Sequence, residues 1–176
     1  HKLLKAGHRV AICEQVEDPK LAKGIVKREV VEILSPGTAL SDKFLDQKEN
    51  NYLCAVVFEK RKCGIAILDH STGEFYTCSR NHEDLRSMLK QFHVSEVIIS
   101  EDQENDLRNL TRGEEIFITT IPDWCISLDT AYESLTDFFN VSSLKGFGIE
   151  DDTLAITSAG CALYYVDKNF KGRIKH

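Results

Sequence analysis

Between Tyr52 and Cys78, three strand-length apolar runs follow one another with almost nothing between them. YLCAVVFE (52–59) leads into a charged Lys60-Arg61-Lys62 turn, and CGIAILD (63–69) leads into Ser71-Thr72-Gly73. EFYTC (74–78) closes the set. Connections this short join only antiparallel neighbours, so the spacing predicts a three-strand meander. A meander needs cover for its apolar faces, and the segments after Cys78 decide the fold class.

Helices and strands then alternate. Asn81 is placed as a helix N-cap, with Glu83 and Asp84 suited to the positive end of the helix. Leu85, Met88, Leu89 and Phe92 recur at i, i+3, i+4 and i+7 and should bury one face. VSEVIIS (94–100) is a continuous apolar strand of the kind found at the centre of a sheet. A short helix over 101–110 carries Leu107 and Leu110, and IFITTI (116–121) is a further strand stopped by Pro122. Asp129 is expected to cap a helix with Tyr132, Leu135, Phe138 and Phe139 on one side. After a Gly146-Phe147-Gly148 loop, a last helix of about 152–169 buries Leu154, Ile156, Ala159, Ala162, Leu163 and Val166. The order βββαβαβαα is that of a ribonuclease-H-like domain. The expected fold is therefore α/β, a three-layer α/β/α domain around a mixed sheet of five to six strands with helices on both faces.

Ahead of this domain stands a smaller piece. HKLLKAGHRV reads as the end of a helix stopped by Gly7 in a left-handed position, so the chain is expected to have been cut from something longer. Residues 9–15 alternate as a half-buried strand, Glu17-Asp18-Pro19-Lys20 turns, and Gly24 closes the turn. REVVEIL (28–34) is a second strand, ended by Ser35-Pro36-Gly37. The polar stretch 39–51, with a helical turn around Phe44-Leu45, reads as a linker. The organisation is a small α/β remnant over 1–38, a linker over 39–51 and a main domain over 52–176.

Composition bounds the function. Net charge is −6, but residues 1–38 carry +2 and the remainder −8. Affinity for nucleic acid rests on cations neutralising phosphate, so such contacts belong in the first forty residues, with Lys23, Lys27 and Arg28 as candidates. Six scattered cysteines lack the spacing of a zinc site or disulfide framework, which suits reduced thiols in the cytoplasm. No apolar run is long enough to span a membrane.

Asp69 ends a strand where ribonuclease-H-like nucleases hold a metal-binding Asp, and Glu101 after a later strand could supply a second ligand. The opening strand YLCAVVFE lacks the central Asp of those enzymes, so a turn-capping side chain is the plainer reading of Asp69. Trp124, Phe138, Phe139 and Phe147 are placed in the core rather than on a stacking platform.

The string VAICEQVEDP, then Lys23-Gly24-Ile25-Val26-Lys27-Arg28-Glu29-Val30-Val31, then Ser35-Pro36-Gly37-Thr38, closely resembles the end of the mismatch-recognition domain of the MutS family of DNA mismatch repair proteins. Asp69-His70-Ser71-Thr72-Gly73-Glu74-Phe75, Asp129-Thr130-Ala131, Gly146-Phe147-Gly148 and the run 159–165 are similar, in order, to that family's connector domain. The family's Phe-x-Glu mismatch wedge and its G-x-x-x-x-G-K-[ST] phosphate loop are not in this sequence. The resemblance implies a non-catalytic connector that couples mismatch recognition to the rest of the protein and docks MutL through a helix beginning with Tyr132, Glu133 and Ser134. It implies mismatched double-stranded DNA, ATP with Mg and homodimerisation for the full-length parent. In this stretch it implies no catalytic residue, metal or cofactor. The alternative is a metal-dependent ribonuclease-H-like nuclease using Asp69 and Glu101.

Overall fold

A computed structural model describes residues 2–19, 24–38, 50–114 and 116–170. The sequence over 52–81 folds into strands β3 (Tyr52–Glu59), β4 (Lys62–Asp69) and β5 (Glu74–Asn81), numbered after two strands at the front of the chain. They pair antiparallel, with Glu59 opposite Lys62 and Asp69 opposite Glu74. Lys60 adopts φ 55° in the first of these tight turns. Helix α2 (His82–Gln91) then carries the chain across β3 and β4 to β6 (Glu96–Ser100), which lies parallel to β3. A 3-10 turn and helix α3 (Glu104–Leu110) lead to β7 (Phe117–Ile121), parallel to β6. The sheet order is β5-β4-β3-β6-β7, five strands with β4 alone running against the rest. This is the expected ribonuclease-H-like arrangement.

Alternation sorts the central strands onto two faces. Leu53, Ala55, Val57, Ala66, Leu68 and Ile98 meet α4 (Leu128–Phe139) and α5 (Thr153–Phe170). Cys54, Val56, Ile65, Ile67, Val97 and Ile99 meet Leu85 and Leu89 of α2 and Leu107 of α3. The result is the predicted three-layer sandwich. α5 lies close against the sheet because β4 has a glycine beneath its first turn: a Cβ on Gly64 would stand 2.0 Å from the Leu154 carbonyl oxygen. Asp152 caps α5, accepting the Ala155 amide at 3.0 Å and the Ser79 hydroxyl at 2.8 Å.

At the front, α1 (Lys2–Lys5) ends as Gly7 requires, at φ 76°. The His8 amide reaches the Leu3 carbonyl at 3.0 Å, and the Gly7 amide reaches that of Leu4 at 2.9 Å, which closes a Schellman motif. Strands β1 (Val10–Gln15) and β2 (Arg28–Leu34) pair antiparallel with a bulge at Ile12/Cys13. Leu4 and Leu34, with Val10 and Ile12, form a small separate cluster. The helical turn expected at Phe44-Leu45 lies outside the described residues.

Three expectations are corrected. The side chain of Asn81 makes no cap hydrogen bond to α2. α4 starts one residue before Asp129, after Ser127, again without a side-chain cap. Trp124, Phe138 and Phe147 are 62%, 66% and 50% exposed rather than core residues. Trp124 and Phe147 lie in short 3-10 turns with one ring neighbour each, Tyr164 and Phe139, and Phe138 falls on the outer side of α4, so none is fully covered.

Candidate functional site

Asp69 has no exposed surface. Its Oδ1 accepts the Ser71 hydroxyl at 2.6 Å and the amides of Ser71 and Thr72 at 2.8 and 3.4 Å. Its Oδ2 accepts the Asn51 amide at 3.2 Å. This is the turn-capping role. Glu101 is nowhere near it. Asp69 pairs with Tyr52 at the start of β3, level with the entry of β6, whereas Glu101 lies past the exit of β6 at Ser100. The two carboxylates therefore stand at opposite ends of the sheet and cannot share cations about 4 Å apart. Among the described residues, no group of three His, Cys, Asp or Glu could hold a metal ion.

The basic front is only partly represented. Lys23 lies outside the described residues. Lys27 and Arg28 are exposed where the chain enters β2. The Lys27 amide donates to Glu17 at 2.5 Å, and its ammonium pairs with Glu29 at 2.5 Å. The hydrogen bond and charge of Glu29 raise the Lys27 pKa above its ordinary value, so this side chain is a cation with an anionic neighbour.

On α4 the three candidates divide. Tyr132 is half-buried, and its hydroxyl donates to Glu150 at 3.0 and 3.2 Å; Glu150 also accepts the Leu144 amide at 2.8 Å. Burial and the Glu150 hydrogen bond raise the Tyr132 pKa, which keeps the phenol a donor. Glu133 and Ser134 are exposed. Beyond them the helix ends at Asn140 (φ 53°) beside an aromatic run. Phe139 stacks on Phe75 at 6.3 Å and meets Phe138 and Phe147 at 5.0 and 4.8 Å. The α4 surface thus combines polar side chains with exposed rings.

Residue-level reading of the sequence missed one constellation. Glu96, on the central strand β6, is wholly buried. Its Oε1 accepts Thr119 Oγ1 at 2.6 Å and the Tyr165 hydroxyl at 2.7 Å. Its Oε2 accepts the Gly37 amide at 3.0 Å and a very short hydrogen bond from the Ser35 hydroxyl. Ser35 and Thr38 are themselves buried, bonded hydroxyl to hydroxyl at 2.8 Å, and the Pro36 carbonyl accepts Asn51 Nδ2 at 2.7 Å. The Ser-Pro-Gly-Thr stop is therefore a plug seated on the sheet. The available signal was a lone carboxylate inside an otherwise apolar strand.

Two units joined in this order, a strand pair seated on a ribonuclease-H-like sheet, match two consecutive family models. MutS domain I covers residues 1–43 and MutS domain II covers residues 51–176. The chain belongs to the MutS family. DNA mismatch repair protein MutS of Flavobacterium johnsoniae is 43% identical over 175 residues, 99% of this chain and 20% of that protein. Those of Chlorobaculum parvum and Parabacteroides distasonis are 40% and 39% identical, each again over 99% of this chain and 20% of the relative. The chain thus spans about a fifth of the length of the curated MutS relatives it matches. Within MutS, the strand pair falls in the domain I match and the whole five-stranded sheet in the domain II match. Among the described residues, no helix is long and apolar enough to cross a membrane.

Proposed function

We propose that this chain serves DNA mismatch repair as the non-catalytic stretch of a MutS protein that links the mismatch-reading domain to the rest of the molecule. The observation that carries it is the match to MutS domains I and II, in order, over nearly every residue. In this reading residues 1–38 close the mismatch-reading domain, 39–51 link, and 52–176 form the connector. ATP with Mg, homodimerisation and a cytoplasmic setting belong to the full-length parent. Lys23, Lys27 and Arg28 are assigned to contact with duplex phosphate. Glu133 and Ser134 are presented to MutL, with Tyr132 holding the base of that surface through Glu150. The exposure of Glu133 and Ser134 on α4 supports this, as does the net negative charge of the larger unit, which leaves DNA contact to the front.

Charge reversal of Lys27 and Arg28 in the full-length protein tests the DNA side. The expected result is weaker duplex binding, with the salt dependence of log K falling by about one for each phosphate no longer neutralised. An unchanged slope would remove these residues from the interface. Photo-cross-linking from Glu133→Cys tests the other side: an adduct with MutL is expected when ATP and mismatched duplex are present, and its absence counts against the assignment.

A further inference from the structure

The junction between the two units is built as a clamp. Four donors converge on Glu96 from three directions: the Ser35–Thr38 turn gives a hydroxyl and an amide, β7 gives Thr119, and α5 gives Tyr165. A carboxylate has acceptor positions for all four and needs no donor of its own, so the set is fully matched. The fit is equally close in the non-polar direction. A Cβ on Gly37 would stand 2.8 Å from the Glu96 Cβ and 3.0 Å from Leu53. Arg9, just before β1, lies 5.9 Å from the centre of the Tyr165 ring, so a second part of the front unit rests on the same α5 residue.

We propose that Glu96 is the positioning residue that fixes the front strand pair to the connector sheet, so that the two units turn as one body. The clamp is a property of the chain itself; its place in repair rests on the relay reading above. A buried charge is tolerable only while its hydrogen bonds are made, so lifting the turn off the sheet strands the carboxylate. Partial displacement is therefore disfavoured, and a twist imposed on β2 passes to β6, β7 and α5 together. Glu96→Gln keeps the shape but removes the charge, so the hydrogen bonds from Ser35 and Gly37 lose their charge assistance and the clamp weakens without emptying the core.

Hydrogen–deuterium exchange on the full-length protein tests this, with Glu96→Gln, Ser35→Ala and the double variant. Amides of β2 and of Gly37 and Thr38 are expected to exchange at least tenfold faster in each, while β3, β4 and α5 keep their protection. The double variant should accelerate exchange by less than the two single effects combined, since both act on the same Ser35–Glu96 hydrogen bond. If the front amides stay as protected as in the parent, the clamp is refuted. If Glu96→Gln loosens the entire connector, Ser35→Ala decides, because its hydroxyl lies outside the sheet. Adding mismatched duplex separates the two readings: a connector that does not respond in the unaltered protein defeats the relay, whereas the front-amide result stands by itself.

Discussion

Asp69 and Glu96 are both carboxylates without exposed surface, but their donors come from different distances along the chain. Asp69 draws most of its partners from Ser71 and Thr72, so its role was legible in the local string Asp-His-Ser-Thr-Gly. The side chains bonded to Glu96 stand 61, 23 and 69 positions away, and no local pattern reveals them. Asp69→Asn turns an NH2 toward amide donors. It is expected to cost about 1–3 kcal/mol in urea denaturation, while calorimetric titration with Mg²⁺ stays as flat or as weak as in the parent. A change in the Mg²⁺ heat would revive a metal site. Gly64→Ala should be more severe. Its new methyl meets backbone, the Leu154 carbonyl, so α5 must lift, and a destabilisation of about 3 kcal/mol or more is expected in the same assay.

The elements themselves were largely readable because their signals are local. Tight turns specify the meander, and the 3.6 period places Leu85 and Leu89 of α2 against the sheet. Caps and outer faces were less legible. Asn81 and Asp129 have suitable side chains, but the helix starts do not use them. Phe138 and Leu135 sit three apart on α4, and the pattern treats them alike. The sheet covers only one, leaving Leu135 1% and Phe138 66% exposed. Thermal melts should separate them: Phe138→Ser is expected to stay within about 0.5 kcal/mol of the parent. Leu135→Ala should be destabilised by about 2–5 kcal/mol.

For the molecule as a whole, class and layer order were legible, because burying two apolar sheet faces leaves few architectures. How the front unit sits on the sheet was not, since that depends on contacts between residues far apart in the chain, chiefly those made to Glu96. The core also imposes a pH limit. Burial raises the Cys63 thiol to about 11 and Cys161 to about 12, and pushes Cys54 higher still. Burial first, then the Glu96 charge, raises the Tyr165 phenol. Folded values above unfolded ones mean that the unfolded chain sheds these protons first. Stability is therefore complete below the ordinary thiol value near 8.5 and declines as pH rises through it. Each buried thiol contributes a slope of about 1.4 kcal/mol per pH unit over that window. Urea midpoints are expected to hold from about pH 6 to 8 and fall between about pH 9 and 11. A midpoint that does not move would show that the thiols are not shielded.

The bulge at Ile12/Cys13 has a practical outcome for anyone wishing to watch this molecule move. Beside it Cys13 is exposed, while Cys54, Cys63, Cys125 and Cys161 are buried and Cys78 is half-covered. A maleimide dye will attach first at Cys13, on the small front hairpin, and so report whether that part travels with the larger body.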